Sequence, residues 1–154
     1  MQGEGKSVLF VEDERAYRKV VVPRLVAEGM GVIEADTGES GVKLGLAQHP
    51  EVVIIDIMLP GMDGWEVLRR IREDKEWGYN VPVILLTSLT AQKPPEDIVN
   101  QTTIYLEKTA WDLNDIVRVV KEAASVCDYY KSAGKTDWDL VEVTGKIKQR
   151  MGLS

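Results

Sequence analysis

The sequence predicts an α/β fold in which helices cover both faces of a parallel, doubly wound sheet of five strands. Short runs of apolar residues alternate along the chain with segments whose apolar residues recur at helical spacing. The run VVII at residues 52–55 is apolar throughout, which is typical of a strand buried on both faces. Such an alternation implies right-handed crossovers between parallel strands, and the strand order 2-1-3-4-5 of the flavodoxin type fits it.

The elements follow in order from the apolar runs and from the residues that begin and end helices. Strands are predicted at residues 6–11, 32–35, 52–55, 81–86 and 104–106, and helices at 15–28, 40–48, about 65–71, 92–100 and 112–131. The fourth helix is expected to have two turns at most, because only a short run separates Pro95 from the threonines before the last strand.

Proline and glycine weaken two of these helices. Pro23 interrupts the first helix, where we expect a kink or a local irregularity, and its apolar positions include Val20, Val21, Leu25 and Val26. Gly41 and Gly45 each cost the second helix about 1 kcal/mol relative to alanine. We therefore expect close packing against the sheet to hold it.

The composition is that of one globular domain. The chain has 154 residues, of which 44% are hydrophobic and 29% charged, and its net charge is -6. An acidic chain disfavours direct nucleic-acid binding, since phosphate contacts need a basic face. The single cysteine forms no internal disulfide, and the sequence shows neither a signal core nor an apolar run long enough for membrane insertion. A cytoplasmic protein is expected.

The last residues predict an extension rather than a second domain. Residues 132–135 resemble a linker, and residues 136–151 are expected to form one further helix with an apolar stripe. Docking of this stripe on its own domain is favoured over capture of a partner. We therefore divide the chain into a domain at 1–131 and a short helical extension at 132–154.

Polar side chains collect where the strands end. Glu12 and Asp13 follow the first strand, Asp56 the third and Thr87 the fourth, and Lys108 lies just beyond the fifth. Parallel strands bring their carboxyl ends to one edge, where open α/β sheets bind ligands. Clustered carboxylates favour a cation, and hard oxygen ligands suit Mg²⁺ rather than zinc.

This set of groups fits phosphoryl transfer, in which a carboxylate acts as the nucleophile and forms an acyl phosphate. A hydrolase with an aspartate nucleophile is disfavoured, because Met58 stands where such enzymes usually place a second acid. Flavin binding is disfavoured too, because the acids after the first strand would repel an anion.

The sequence resembles the receiver domains of response regulators in two-component signalling over about residues 6–131. The matching motifs are VLFVEDE, VVIIDIMLPGMDGWEVLRRIRE, PVILLTS and YLEK. The resemblance implies that Asp56 is the phosphorylated aspartate, that Lys108 pairs with the phosphoryl group, and that Thr87 moves onto its oxygen. Tyr105 resembles the aromatic residue whose rotamer reports the switch.

The resemblance also implies a Mg²⁺ site. Asp13 and Asp56 would bind the metal directly, Met58 through its backbone carbonyl and Glu12 through a water molecule. The implied partners are a sensor histidine kinase or a histidine phosphotransfer protein as donor and a downstream protein effector. Such a protein is not a conventional enzyme, although it catalyses its own phosphorylation and dephosphorylation.

Two departures from the family leave a second function open. Thr109 replaces the proline that usually follows the lysine, often through a cis peptide bond, and we expect a trans bond here because a non-proline cis bond costs about 3–4 kcal/mol. Residues 92–103 differ from the usual fourth helix and its approach to the last strand. The alternative is therefore a receiver-like interaction module whose phosphorylation-dependent switching is impaired or absent.

Overall fold

The predicted doubly wound fold is confirmed in a computed structural model that describes residues 6–88, 102–134 and 139–153. Five parallel strands form one sheet in the order β2-β1-β3-β4-β5. The strands are β1 (Ser7–Val11), β2 (Gly31–Ala35), β3 (Val52–Asp56), β4 (Val83–Thr87) and β5 (Thr103–Glu107). All five carboxyl ends therefore lie at one edge of the sheet.

The described helices cover both faces of this sheet. They are α1 (Arg15–Ala27), α2 (Gly38–Gln48), α3 (Gly64–Arg72), α4 (Leu113–Ser132) and α5 (Leu140–Arg150). Buried residues of α1, α4 and α5 share one hydrophobic cluster with the sheet, and α2 and α3 contribute to a second cluster on the opposite face. Every residue of the central strands β3 and β4 is buried, as expected for strands between two helical layers.

Helix α1 buries a narrower stripe than its apolar residues indicate. Val21 and Leu25 are fully buried, whereas Val20 and Val26 are each 54% exposed. Pro23 lies inside the helix without ending it, so the irregularity expected there does not divide α1 into two helices.

The expected close packing of α2 is confirmed. A Cβ atom at Gly41 would lie 2.7 Å from a methyl carbon of Val11, and one at Gly45 would lie 2.8 Å from the ring of Trp77. The helix begins at Gly38, two residues before the predicted start, because Thr37 and Ser40 form a capping box.

The C-terminal helix α5 docks on the chain's own core, as the sequence analysis favoured. Val143 and Ile147 are fully buried in the cluster shared with α1 and α4, and α5 contacts α4 and β5. The hydroxyl of Tyr130 in α4 donates a hydrogen bond of 2.7 Å to Glu142 in α5. The division of the chain at residue 131 stays a prediction.

The amino ends of β4 and β5 are connected through Arg72 at the end of α3. Its guanidinium donates to the carbonyl oxygens of Gly78, Val81 and Thr102 at 2.6–3.0 Å. Burial lowers the pKa of Arg72 to about 10. The short helix predicted at residues 92–100 lies outside the described residues. Within the described ranges, no helix is both long and apolar enough to cross a membrane.

Candidate functional site

Three carboxyl groups meet at the carboxyl edge of the sheet. Glu12 and Asp13 directly follow β1, and Asp56 is the last residue of the neighbouring β3. One carboxylate oxygen from each of the three lies within 4.8 Å of the others. Glu12 is fully buried and Asp56 is 4% exposed, whereas Asp13 faces solvent. This geometry offers a cation an accessible oxygen and two sequestered ones.

Lys108 reaches this acidic cluster from the loop after β5. Its backbone N–H donates to the carbonyl oxygen of Thr87 at 2.8 Å, which fixes the start of the side chain at the edge of the sheet. Its ammonium nitrogen lies 2.6 Å from Oε1 of Glu12 and 3.3 Å from Oδ2 of Asp56. The ammonium therefore joins two carboxylates that would otherwise repel each other.

The pKa values of Glu12 and Lys108 are both raised, but for different physical reasons. Burial raises the pKa of Glu12 to about 7, because it outweighs the opposing hydrogen bond from Lys108, and the nearby Asp56 carboxylate adds to the rise. Burial alone would lower the pKa of Lys108, but the Glu12 and Asp56 carboxylates raise it above its ordinary value. Lys108 is therefore charged at neutral pH, whereas the pKa of Glu12 lies close to neutral pH.

The loop from β3 to α3 orients Asp56. The backbone N–H of Met58 donates to Oδ1 of Asp56 at 3.0 Å, which leaves Oδ2 toward Lys108. Gly64 permits the sharp return of the loop, since a Cβ atom there would lie 2.6 Å from the Asp56 carbonyl oxygen. Asp13, Met58 and Asp63 line an open cleft beside the carboxylates.

Thr87 lies on β4, the strand next to that of Asp56, and Tyr105 lies on β5, one strand further out. Neither belongs to the cluster of three carboxyl groups. Asp56 is paired with Leu86, so Thr87 stands one residue further along β4, and it is largely buried. The ring of Tyr105 packs 6.0 Å from that of Trp65. The switching roles implied for both residues stay predictions, as does the metal-binding role of the Met58 carbonyl.

The peptide bond between Lys108 and Thr109 is trans, as expected. The N–H groups of Ala110 and Trp111 donate to the carbonyl oxygen of Glu107 at 3.2 and 3.1 Å. The turn after β5 is thus closed by hydrogen bonds around a trans bond, and it still delivers Lys108 to the carboxylates.

Two residues of α1 also contact Glu12 and Lys108, although the sequence analysis did not identify them. Arg18 donates from Nη1 to the Glu12 carbonyl oxygen at 2.6 Å, and its Nε lies 3.3 Å from Oε1 of Glu34. The Tyr17 ring centroid lies 4.2 Å from the Lys108 ammonium nitrogen. The spacing of four residues between Tyr17, Val21 and Leu25 would have placed Tyr17 on the buried stripe of α1.

Comparison with known proteins identifies the family. The family model of the response regulator receiver domain matches residues 8–121. The transcriptional regulatory protein AfsQ1 of Streptomyces coelicolor is 43% identical over 82 residues, which are 53% of this chain and 35% of AfsQ1. The probable transcriptional regulatory protein TcrX of Mycobacterium tuberculosis is 36% identical over 89 residues, 58% of this chain and 37% of TcrX. The matched region thus spans about a third of the length of these relatives.

Solved structures agree with this match. The receiver domain of the sensor histidine kinase PA1611 from Pseudomonas aeruginosa, which has a magnesium ion in its active-site cleft, superposes with a TM-score of 0.69 at 26% identity, covering 79% of this chain and 98% of that one. The response regulator TrrA of Thermotoga maritima, in complex with Mg²⁺ and BeF, gives 0.66 at 28% identity, with 77% and 98% covered. The chain therefore belongs to the response regulator receiver domain family.

Proposed function

We propose that this receiver domain accepts a phosphoryl group on Asp56 and acts as a switch in two-component signalling. The observation that carries the proposal is the contact of the Lys108 ammonium with both Asp56 and Glu12 at the carboxyl edge of the sheet. The Met58 N–H holds Oδ1 of Asp56, so Oδ2 is the oxygen directed at the Lys108 ammonium and at the incoming phosphoryl group. The relatives named as transcriptional regulators and the structures of response regulators support this function.

In the proposed reaction, an Asp56 carboxylate oxygen attacks the phosphorus of a phosphohistidine donor. An oxygen–phosphorus bond forms as the nitrogen–phosphorus bond breaks, and its electron pair returns to the imidazole of the donor. Lys108 then pairs with the transferred phosphoryl oxygens. Thr87, on the adjacent strand, follows the phosphoryl group and changes the surface that a partner binds.

Mg²⁺ is the proposed cofactor, and the donor set fits it. Glu12, Asp13 and Asp56 supply hard carboxylate oxygens within 4.8 Å of one another, with one carboxyl facing solvent. Asp13 and Asp56 would hold the ion directly, Glu12 through water and Met58 through its carbonyl. The ion would neutralise the charge that develops on the transferring phosphoryl oxygens.

The proposed partners are a histidine kinase or histidine phosphotransfer protein and a downstream protein effector, in the cytoplasm. An acidic chain with a net charge of -6 argues against direct DNA contact by these residues.

Intact-mass measurement after incubation with acetyl phosphate and Mg²⁺ tests the phosphoacceptor. We expect the mass of one phosphoryl group to be added to the wild-type chain and to Asp36→Asn, an exposed acid after β2, but not to Asp56→Asn. An adduct that persists in Asp56→Asn, or no adduct on the wild type, would refute the proposal.

The second candidate is an interaction module that takes the phosphoryl group without switching. Thr109 stands in place of the family's usual proline, and the peptide bond before it is trans, which favours this interaction module. Tryptophan fluorescence during phosphorylation separates the two functions. A change that is lost in Asp56→Asn and Thr87→Ala supports the switch, whereas an adduct without any spectral change supports the module.

A further inference from the structure

The Lys108 ammonium has a third contact besides its two carboxylates. It lies 4.2 Å from the centroid of the Tyr17 ring, well within the distance at which a cation is attracted by the negative face of an aromatic ring. The Lys108 side chain is only 13% exposed, so this attraction acts in a partly desolvated environment, where it is strongest.

The Tyr17 ring is fixed by the core rather than free at the surface. It lies in the first turn of α1 and meets the ring of Phe10 in β1 edge to face, with centroids 6.3 Å apart. Phe10 is fully buried, and Tyr17 packs against the same hydrophobic cluster. Burial also raises the pKa of the Tyr17 phenol, so it stays neutral at physiological pH. The ring is thus a rigid, uncharged wall beside the ammonium.

The three contacts of Lys108 respond differently to phosphorylation. In the proposed reaction, the bond to Asp56 is exchanged when that carboxylate becomes an acyl phosphate, whereas Glu12 and the Tyr17 ring are not phosphorylated. The contact between the Lys108 ammonium and the Tyr17 ring involves neither carboxylate. It therefore supplies an attraction to the ammonium that does not involve the group undergoing reaction.

We infer that Tyr17 is a positioning residue for the phosphoryl-transfer site, whose ring holds the Lys108 ammonium against the Asp56 carboxylate by a cation–π contact. This inference rests on the proposed function, in which Lys108 pairs with the transferred phosphoryl oxygens. The role belongs to the ring face and not to the hydroxyl.

The contact itself is tested without phosphorylation. In the full chain with labelled lysine, the Lys108 Cε protons, assigned by their loss in Lys108→Arg, should resonate upfield of other lysines because the ring current of Tyr17 shifts them. The upfield shift should persist in Tyr17→Phe and disappear in Tyr17→Leu. If the wild type lacks the shift, the inference is wrong, whatever the phosphorylation assay shows.

The role is tested by the rate of phosphorylation from acetyl phosphate in the presence of Mg²⁺. Tyr17→Phe should stay within about twofold of the wild type, and Tyr17→Leu should lose about three- to tenfold. Replacing Tyr17 by phenylalanines that carry one, two or three ring fluorines should lower the rate in that order, because fluorine weakens the negative face while the shape of the ring is kept. A purely steric role gives no such gradient.

A matched control separates positioning from folding. Val21→Ala shortens a fully buried side chain on the same stripe of α1, four residues after Tyr17, so it should lose stability but keep the rate. Equal rates across the fluorinated series would overturn the inference even if Tyr17→Leu fails to fold. If the wild type takes up no phosphoryl group from acetyl phosphate but shows the expected upfield shift of the Lys108 protons, the proposed function is refuted and the contact with the ring still stands.

Discussion

At the scale of single residues, the carboxyl of Glu12 makes the stability of the metal-free protein depend on pH. Its pKa is raised from 4.5 to about 7, so the folded protein holds this proton more tightly than the unfolded chain does. The stabilisation from the bound proton is complete below about pH 4.5 and is lost as the pH rises through 7. The proton therefore favours folding on the acid side of this window.

Replacing Glu12 by glutamine should remove this dependence. Measured by urea unfolding in a metal chelator at pH 5 and pH 7.5, the free energy of unfolding should fall more in the wild type than in Glu12→Gln. Glu39→Gln, at an exposed position of α2, should follow the wild type. Identical changes in wild type and Glu12→Gln would show that Glu12 does not titrate in this window.

Lys108 should oppose the binding of Mg²⁺ at the proposed metal site. Its ammonium lies 2.6 Å from Glu12 and 3.3 Å from Asp56, so a divalent cation at these oxygens meets a like charge. We expect Lys108→Met to bind Mg²⁺ about tenfold more tightly than the wild type, by calorimetric titration, and yet to be phosphorylated more slowly. Weaker Mg²⁺ binding in this variant would contradict the assignment of one shared set of oxygens.

At the scale of elements, two glycines in different helices should respond oppositely to alanine. A Cβ atom at Gly145 in α5 meets nothing within 4 Å, so Gly145→Ala should gain about 0.5–1 kcal/mol in free energy of unfolding. At Gly45 in α2 it meets the buried Trp77 ring at 2.8 Å, and overpacking of this kind costs about 1–3 kcal/mol. Thermal unfolding of both variants checks the signs, and stabilisation by Gly45→Ala would show that Trp77 moves freely.

Helix α5 should contribute to stability through its buried face alone. Ile147 is fully buried in the core, and we expect Ile147→Ala to cost about 2–4 kcal/mol. Val141 on the same helix is 43% exposed, and Val141→Ala should change stability by no more than about 0.5 kcal/mol. Urea unfolding of the two variants measures the difference, and equal small effects would mean that α5 is not docked in solution.

At the scale of the whole molecule, α5 and the sheet should unfold as one cooperative unit. Val143 and Ile147 lie in the same cluster as the β1 and β4 residues Val8 and Ile84. In hydrogen exchange on the full chain, the amides in the middle of α5 should therefore be protected to the same free energy as those of α4. Much faster exchange in α5 would identify it as a separate, weakly attached extension.

The fold could be predicted from the sequence because its strands are continuous apolar runs separated by glycine and proline. The ends of the strands were predicted less accurately where individual hydrogen bonds decide them. Strand β4 begins at Val83 instead of residue 81, because Pro82 has no N–H for the sheet and the Val81 carbonyl oxygen binds Arg72. The bond between Arg72 and Val81 joins residues nine positions apart and leaves no periodic signal in the sequence.

The acidic cluster could be predicted for a different reason. Parallel strands place Glu12, Asp13 and Asp56 at one edge whatever the side-chain details. The ring of Tyr17 could not be assigned to the cluster in the same way. Its position depends on how α1 rotates against β1 and on where the Lys108 side chain ends, which only the packed structure determines.

The arrangement of the three carboxyls around Lys108 has a consequence for the choice of ion. When all three are ionised, the ammonium cancels one of their charges and a charge of two remains. A monovalent cation would leave the cluster negative and a trivalent cation would make it positive, whereas a divalent cation neutralises it. A divalent ion thus leaves the cluster without net charge, and Lys108 sets the valence at which this balance is reached.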